Sequence, residues 1–377
     1  MKIIIGADLV PTQTNYDLFS EGKINELFGD ELLQIFDRAD YRIFNLETPL
    51  TDDEKPIVKC GPNLIAPTST ICGYKKINVD LLTLANNHIL DQGVEGMNST
   101  CKILSENGID YIGVGSSRNE AEKTKIIEIN RKKIGLYACA EHEFSIVDCN
   151  HPGANPYDRF YSNIAVKKLK ESCDFVIVLY HGGKEYYRYP SPKLQDNCRL
   201  LVENGANLVI CQHSHCIGCE EEYLNSKIVY GQGNTLFDLN ANEFWETSLL
   251  IEINDDFEIK YIPLRKKGNV ERIASPDEAK MIINSFNIRS NQIKDEGFIK
   301  SNYYKFSEEK FENYMLTILG IKKNIFSKII NKIFNHKYFS WKIGRIYKKN
   351  NYTTLYNFIA CEAHRELIES FLKQRMS

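Results

Sequence analysis

Residues of the kinds that bind metal ions or move protons follow closely on several apolar, strand-like segments. They are Asp8, Asn45, Glu47, Asn86, Asn87, His88, His181, His213 and His215. Carboxylate, amide and imidazole groups in such a mixture suit Zn, Mn or Fe. Two such ions about 4 Å apart could clamp a phosphoryl group and activate a water molecule between them. The residue types therefore indicate metal-assisted hydrolysis.

Each of these residues also has an ordinary structural interpretation. Asp8 and Glu47 could cap helices or stabilise turns, and His181 alone could be a hydrogen-bonded core residue. His213 and His215 are a stronger signal, because alternate side chains of an extended segment point to the same side. The placement of the whole set at strand exits favours one shared site over separate structural roles.

The elements that must position these residues alternate between strands and helices. The predicted strands are 3–5, 42–46, 81–85, 111–114, 175–180, 208–211, 227–229, 248–253 and 258–262, with a hairpin at 125–129 and 133–139. The predicted helices are 31–39 after an Asp30 cap, 94–107, 165–172 and 194–204. Apolar strands alternating with helices predict a layered α/β fold, in which ligands bind beyond the carboxyl ends of the strands. The pattern is mainly helical after Arg265, so we predict domains at 1–265 and 266–377.

The composition excludes several classes of protein. Of the 377 residues, 43% are hydrophobic and 26% are charged, with a net charge of -3, which excludes a disordered chain. No apolar run is long enough to span a membrane, and the first residues, MKIIIGADLV, lack the apolar region of a signal peptide. Eleven cysteines without an export signal are typical of reduced thiols. We therefore expect a cytoplasmic protein.

Seven segments in order resemble one known family. They are GADLVPT (6–12), NLETPLT (45–51), LANNHILDQGVEGM (84–97), GVGSSRNEAEK (113–123), VLYHGGKEYYRYPSPKLQ (178–195), ENGANLVICQHSH (203–215) and IVYGQGNTLFD (228–238). Over residues 1–265 the chain resembles the CapA-type capsule or poly-gamma-glutamate synthesis proteins, of the calcineurin-like metallophosphatase superfamily. The resemblance implies a metallophosphatase-like β-sandwich flanked by helices, followed here by a helical C-terminal extension.

The resemblance also implies a role for each matching residue. Asp8, Glu47, Asn87, His181, His213 and His215 correspond to ligands of one or two divalent metals, most often Mn, Zn or Fe, with Glu47 as the bridging carboxylate. His88 corresponds to the proton donor or phosphate-contacting histidine, and Asp91 could orient its ring. Asn45, Glu185 and Asn234 fall near the same edge and could contact substrate.

The chain departs from the expected patterns at several positions. Val10 stands where metallophosphatases have a histidine ligand, a difference that is common to the CapA-type family and that implies a poorer site for one metal. The family's Tyr-Ser-Leu-Gly-Asn segment reads YGQGN here, at 230–234. Gly182 replaces a tryptophan, Gln212 a glycine and Ser214 a proline. These changes keep the implied metal ligands and bear on the substrate.

The function implied by the resemblance is metal-dependent phosphoester hydrolysis, with a capsule or polymer precursor as substrate. Two alternatives stay open. The chain could be a non-catalytic accessory or polymer-binding subunit that keeps its metal site, or it could hydrolyse amide bonds of a glutamyl polymer at the same centre.

The C-terminal region carries a separate signal. Residues 321–360 contain nine Lys or Arg and no Asp or Glu, and apolar residues recur there near helical spacing. A basic amphipathic helix could contact an anionic membrane surface through 318–349. The competing interpretation is a stripe that packs on the protein's own core. Nucleic acid is not expected as a partner, because the body of the chain is acidic and no recognition motif accompanies the lysines.

The spacing of Cys211, Cys216 and Cys219 around His213 and His215 could form a separate structural zinc site. Only one Cys-x-x-Cys is present, so buried reduced thiols are the favoured interpretation.

Overall fold

The computed structural model describes residues 1–239, 242–321 and 324–376, without the side chains of Phe326, Lys373 and Met376. The chain divides into two compact units, Met1–Ile299 and Lys300–Ser377. The domain boundary predicted after Arg265 stays a prediction. The structural division falls later, because the strand at 270–273 and the helix at 276–292 both pack within the first unit.

The elements are numbered in chain order. The strands are β1 (Ile3–Val10), β2 (Tyr41–Asn45), β3 (Leu81–Thr83), β4 (Asp110–Ile112), β5 (Val114–Gly115), β6 (Lys125–Ile129), β7 (Lys132–Ala140), β8 (Gly153–Ala154), β9 (Phe175–His181), β10 (Leu208–Gln212), β11 (Glu220–Tyr223), β12 (Ser226–Tyr230), β13 (Asn234–Phe237), β14 (Thr247–Ile253), β15 (Ile259–Lys267) and β16 (Val270–Ile273). The helices are α1 (Tyr16–Ser20), α2 (Ile24–Asp37), α3 (Ile71–Lys76), α4 (Gly93–Glu106), α5 (Arg118–Ala121), α6 (Tyr161–Ser172), α7 (Pro192–Glu203), α8 (Pro276–Gln292), α9 (Phe298–Ile318), α10 (Ile325–Ile333), α11 (Tyr338–Ile346), α12 (Lys349–Ala360) and α13 (Glu362–Met376).

Two large sheets form the centre of the first unit. The first has the strand order β16-β15-β14-β1-β2-β3-β4, and β13 also pairs with β1. The second has the order β11-β12-β10-β9-β7-β6. Strands β1, β2 and β3 run parallel, as do β7, β9 and β10, so in each sheet several carboxyl ends meet at one edge.

The two sheets pack face to face, with helices on both outer faces. Along β1, Ile3 and Ile5 point toward the second sheet and share a core with Ile177 and Ile210, as the two-residue period of a strand requires. Ile4 points the other way, into a core built with α2, α3 and α4. Helices α6 and α7 cover the far side of the second sheet. The predicted layered α/β fold with flanking helices is confirmed.

Several boundaries differ from the sequence predictions. The helix predicted from residue 31 begins at Ile24, and Gly29, with φ 70°, breaks it at the point where the predicted part starts. The strand predicted at 111–114 is split at Gly113, whose φ is 85°. An added Cβ there would lie 2.6 Å from that of Ala85, so the close packing of the chain requires glycine. The hairpin turn at Asn130 and Arg131 is as predicted, with positive φ at both residues.

The second unit is helical, as the sequence predicts for this part of the chain. A small apolar cluster joins α9 to α11 through Met315, Leu316, Phe339 and Ile343. Lys322 and Lys323, which belong to the predicted basic stretch, lie outside the described residues. In the described part of the chain, no helix combines the length and the apolar character needed to cross a membrane.

Candidate metal centre

The residues predicted to do chemistry converge where the parallel strands of the two sheets end. Asp8 lies in β1, beside a register shift that interrupts its pairing with β2. His181 is the last residue of β9, and His213 directly follows β10. Glu47 and Asn87 lie in the loops after β2 and β3. All five side chains are buried, and they come from both sheets, so the site lies at the shared edge of the two-sheet core.

A first cluster surrounds the Nε2 atom of His181. Asn87 Oδ1 lies 3.0 Å from it, Glu47 Oε1 3.1 Å and His213 Nδ1 3.1 Å. One ring nitrogen has at most one proton, so it cannot satisfy three such neighbours by donating hydrogen bonds. Ligands held at right angles about 2.1 Å from one ion lie about 3 Å apart. The spacing of these four atoms therefore fits a single cation.

A second cluster shares Glu47 with the first. Asp8, Glu47 and His215 offer ligand atoms that all lie within 4.8 Å of one another. His215 Nδ1 is 3.4 Å from Asp8 Oδ2 and 2.9 Å from the side-chain oxygen of Asn234. Glu47 thus stands between two sets of nitrogen and oxygen ligands, the position that the family resemblance implied for a bridging carboxylate.

The carboxylates of the centre lack the hydrogen bonds that buried carboxylates normally accept. Asp8 Oδ2 and both oxygens of Glu47 are fully buried, and no described group donates a hydrogen bond to them. His181 and His215 approach them at ion-pair distances without the alignment of hydrogen bonds. Leaving such oxygens unpaired is costly. These orphaned oxygens, together with the donor set, fit a site built for divalent cations.

The electrostatics of the centre point the same way. Burial, and next the charge of Glu47, raise the pKa of Asp8. Burial would also raise the pKa of Glu47, but the charges of His181 and His215 outweigh it and hold that pKa well below its usual range. Burial disfavours the charged form of His213, but the carboxylates of Glu47 and Glu141 raise its pKa to about 9. Glu47 and Asp8 raise the pKa of His215 as well, against the effect of burial. Protons on His213 and His215 therefore help to balance the buried carboxylates, and divalent cations would replace those protons.

The backbone that carries the two histidines of the His-x-His segment is not extended. His213 and His215 have φ values of 77° and 51°, in the left-handed region that non-glycine residues seldom occupy. The prediction that an extended segment aligns them is therefore wrong. Two consecutive sharp turns after β10 bring their rings to 6.0 Å from each other instead. Such strain is typical of residues held in place for function.

His88 belongs to a buried network beside the two clusters. Its Nδ1 lies 2.5 Å from Asp91 Oδ2, which also accepts a hydrogen bond from the backbone N–H of Leu64 at 2.6 Å. The ammonium group of Lys59 donates to Asp91 Oδ1 and lies 3.1 Å from His88 Nδ1. Asp91 and Lys59 are almost entirely buried, at 0% and 2% side-chain exposure. The network fixes the His88 ring through Nδ1 and leaves Nε2 for other partners.

The remaining predicted residues lie either around the two clusters of ligand atoms or outside them. Asn45 donates to Asp8 Oδ1 at 2.7 Å and accepts hydrogen bonds from Thr83 and Asn86, so it orients a carboxylate of the centre from behind. Asn234 contacts His215. Glu185 is half-buried, and neither cluster of described ligand atoms includes it. Cys211, Cys216 and Cys219 are buried, and the candidate metal-holding groups of the described residues contain no cysteine.

Sequence reasoning missed two residues at this site. Lys59 lies in a loop without periodicity, and only the structure shows that its ammonium group reaches His88 and Asp91. Glu141, one residue beyond β7, has its Oε1 atom 3.5 Å from His213 Nε2 and forms a further candidate cluster with Glu143 and His213. The location of Glu141 just after a strand of the second sheet was the available signal.

Comparison with known proteins places this site in a family. The family described as "Bacterial capsule synthesis protein PGA_cap" matches residues 2–239. The capsule biosynthesis protein CapA of Bacillus anthracis is 30% identical over 210 residues, covering 53% of this chain and 51% of that protein. The PGA biosynthesis protein CapA of Bacillus subtilis is 29% identical over 230 residues, covering 57% of this chain and 59% of that protein. The chain thus spans little more than half the length of these two relatives.

Solved structures with a related arrangement share little sequence with this chain. A putative 5'-nucleotidase from Staphylococcus aureus has 12% identity and a TM-score of 0.42, covering 76% of this chain and 58% of its own. A phosphatase from Mycoplasma pneumoniae has 12% identity and a TM-score of 0.42, covering 71% of this chain and 94% of its own. The family match covers more than half of the chain and confirms the resemblance inferred from the sequence motifs: this chain belongs to the bacterial capsule synthesis protein family PGA_cap.

Proposed function

We propose that this protein is a metal-dependent hydrolase of phosphoesters that acts on a precursor of a capsule or a related exopolymer, such as an exopolysaccharide or poly-gamma-glutamate. The observation that carries the proposal is Glu47, a buried carboxylate shared by two clusters of nitrogen and oxygen ligands. A shared carboxylate between two such clusters is the arrangement that two-metal hydrolysis needs.

The described side chains divide naturally between two divalent ions. Glu47, Asn87, His181 and His213 would hold one ion, and Asp8, Glu47 and His215 would hold the other. Bound ions would supply positive charge that polarises a phosphoryl oxygen and favours ionisation of an attacking water molecule. Mn, Zn and Fe suit this mixture of imidazole, amide and carboxylate ligands.

The chain itself supplies the proton-transfer group. His88 has its Nδ1 held by Asp91, so its Nε2 is the atom that would deliver a proton to the leaving oxygen. Asp91 sets the ring orientation and, with Lys59, keeps this small network electrically balanced in a buried place. Asn45 holds Asp8 in its ligating orientation through the hydrogen bond to Oδ1.

The direct test is hydrolysis of a generic phosphatase substrate by the purified protein with added Mn²⁺, with and without a chelator. We expect turnover that the chelator abolishes and that readdition of metal restores. A protein that binds metal but turns over no phosphoester in a substrate panel would contradict the proposal. In that case, release of glutamate from a glutamyl polymer would identify amide hydrolysis, and its absence would favour an accessory, polymer-binding role.

For the C-terminal unit we propose peripheral contact with an anionic membrane surface through 318–349. In α10, Ile325, Ile329 and Ile333 follow one another at four-residue spacing with 80%, 53% and 72% exposure. Lys328 and Lys332 are exposed beside this stripe. An apolar stripe flanked by lysines can enter the headgroup region, where each lysine gains about 1 kcal/mol from anionic lipid. The proposed location of the protein is the cytoplasm, at the membrane face.

A further inference from the structure

A polar groove opens in the first unit, and none of the metal-centre residues lines it. Its volume is about 320 Å³, within the range of small ligand sites. Two arginines from distant parts of the chain line it: Arg188, in the loop after β9, and Arg289, near the end of α8. Ile217 lies between them in the lining of the groove.

The backbone just after the metal-site histidines fixes both arginines. Arg188 Nη1 donates to the carbonyl of Ile217 at 3.0 Å, and Arg289 Nε donates to the carbonyl of Gly218 at 2.7 Å. Because these carbonyls belong to consecutive residues, the two guanidinium groups are brought to the same place. Gly218 has no room for a side chain, since an added Cβ would lie 1.6 Å from the carbonyl oxygen of Tyr230. The loop that holds the arginines is therefore tightly packed.

The charges in the groove are unevenly balanced. Arg265 also lines it and is neutralised by Glu246 at 2.9 Å and Glu278 at 3.7 Å. Among the described residues, the one carboxylate within ion-pair distance of Arg188 is that of Glu243, whose oxygen is 3.8 Å away on a side chain that is 75% exposed. In the described part of the chain, no carboxylate lies within ion-pair distance of Arg289. Burial, and next the charge of Arg188, lower the pKa of Arg289. Two half-buried cations thus lie together with little compensation.

A layer of packed aromatic rings lies between the groove and the metal centre. The guanidinium of Arg188 lies 4.7 Å from the ring centroid of Phe244, on the face of the ring. The next residue, Trp245, is buried and packs against His215 with 4.5 Å between ring centroids. A ligand held by Arg188 would therefore lie one layer of aromatic side chains from the metal ligand His215.

We propose that Arg188 and Arg289 form an oxyanion-binding subsite beside the metal centre, which takes a phosphate or carboxylate group of an anionic substrate. Guanidinium groups bind both kinds of oxyanion through paired, charge-assisted hydrogen bonds. Glu243 and Glu278 also line the groove. An arriving oxyanion would supply the counter-charge that Arg289 lacks and would displace the exposed Glu243 from Arg188. This inference rests on the proposed function only for the reacting bond, since binding at the subsite can be measured without turnover.

Binding is measured by calorimetry on the full chain after it has been stripped of metal with a chelator and dialysed free of that chelator, so that neither a bound metal nor the chelator's own carboxylates contribute. The probes are inorganic phosphate and a trimer of glutamate. We expect at least one probe to bind, and we expect Arg188→Ala/Arg289→Ala to weaken it roughly tenfold or more, the loss of about two charge-assisted hydrogen bonds. Preference for phosphate or for the trimer identifies the source of the oxyanion. A Lys280→Ala variant removes one charge from the exposed surface of the same helix and should bind as the wild type does.

Three further variants keep the test decisive. If the double alanine variant is misfolded by circular dichroism, Arg188→Lys and Arg289→Lys retain the charge and lose the planar fork, and each should still weaken binding. In a Trp341→Phe background, Trp245 is the remaining tryptophan, and its emission should change as the probe binds. Failure of both probes to bind at ~1 mM, a modest affinity threshold, would overturn the subsite. So would unchanged affinity in the folded arginine variants. Chelator-sensitive hydrolysis together with either result would leave the proposed function standing.

Discussion

The substitution Glu47→Gln tests the metal centre most directly. Glu47 is fully buried, both of its oxygens lack hydrogen-bond donors, and it belongs to both clusters of ligand atoms. Glutamine keeps the size of the side chain but removes the charge and replaces one ligating oxygen by an NH₂ group, which cannot bind a cation. We therefore expect both metals to be lost together.

The size of the effect follows from the number of ligands. Structural zinc sites with four ligands bind with about 10–16 kcal/mol, which is roughly 3 kcal/mol for each ligand. Loss of one ligand then weakens binding by about two orders of magnitude at each of the two positions. His215→Ala, in contrast, removes a ligand from the second cluster alone and should halve the metal content at limiting metal.

The assay is elemental analysis of protein dialysed against limiting Mn²⁺ or Zn²⁺. Glu271→Gln is a matched control, because Glu271 is a second glutamate buried to 1% exposure and lies in β16, three strands away from β1 in the sheet. The control should keep the metal content of the wild type. Wild-type metal content in Glu47→Gln, or in a His213→Ala/His215→Ala double variant, would refute the assignment of these residues as ligands.

Four further predictions follow from the site and from the C-terminal unit. His88→Asn should keep the metal content but lower turnover by about 10²-fold, a typical general-acid contribution, and loss of metal would instead make His88 a ligand. Asp91→Asn should lower the free energy of unfolding by about 3–5 kcal/mol, because it strands the buried Lys59 cation. Asp91→Asn/Lys59→Met should recover part of this in denaturant titrations, and no recovery would show that the ion pair is not the cause. The raised pKa of His213 means that its proton stabilises the metal-free fold below pH 6.5 and that this contribution disappears as the pH rises through about 9. Metal affinity, measured by competition with a chelator, should therefore increase over that window, and a flat profile would contradict the protonated state of His213. Full-length protein should float with anionic liposomes at low salt more than a chain ending near Asn313, and equal recovery would reject membrane contact through this region.

The general position of the site could be predicted from the sequence because parallel strands share an edge. Asp8, Glu47, Asn87 and His181 each follow or end an apolar strand, and the carboxyl ends of those strands meet in the folded sheets. The apolar runs also predicted the layered α/β fold with buried strands, since buried parallel strands are apolar on both faces, whereas the two-sheet arrangement was implied by the family resemblance. Sequence periodicity was sufficient for these features because each depends on one element at a time.

Features that depend on two distant segments could not be predicted in this way. The strands β8 and β13 are short and are defined by pairing with strands far away in the chain, so their own residues carry little periodic signal. The left-handed turns at His213 and His215 follow from contacts around the loop after β10, which no local preference of histidine would indicate.

Lys59 and the arginine pair show the same limit at the level of chemistry. A lysine in a loop is usually solvated, yet Lys59 is buried because Asp91 provides its counter-ion 32 residues later in the chain. Arg188 and Arg289 meet only because Ile217 and Gly218 present adjacent carbonyls to them. In both cases the charged residue can be read from the sequence, but only the fold shows whether an opposite charge lies close to it. Where the partner is present, as at Lys59, the charge holds a neighbour in position. Where it is missing, as at Arg289, the imbalance itself points to a ligand.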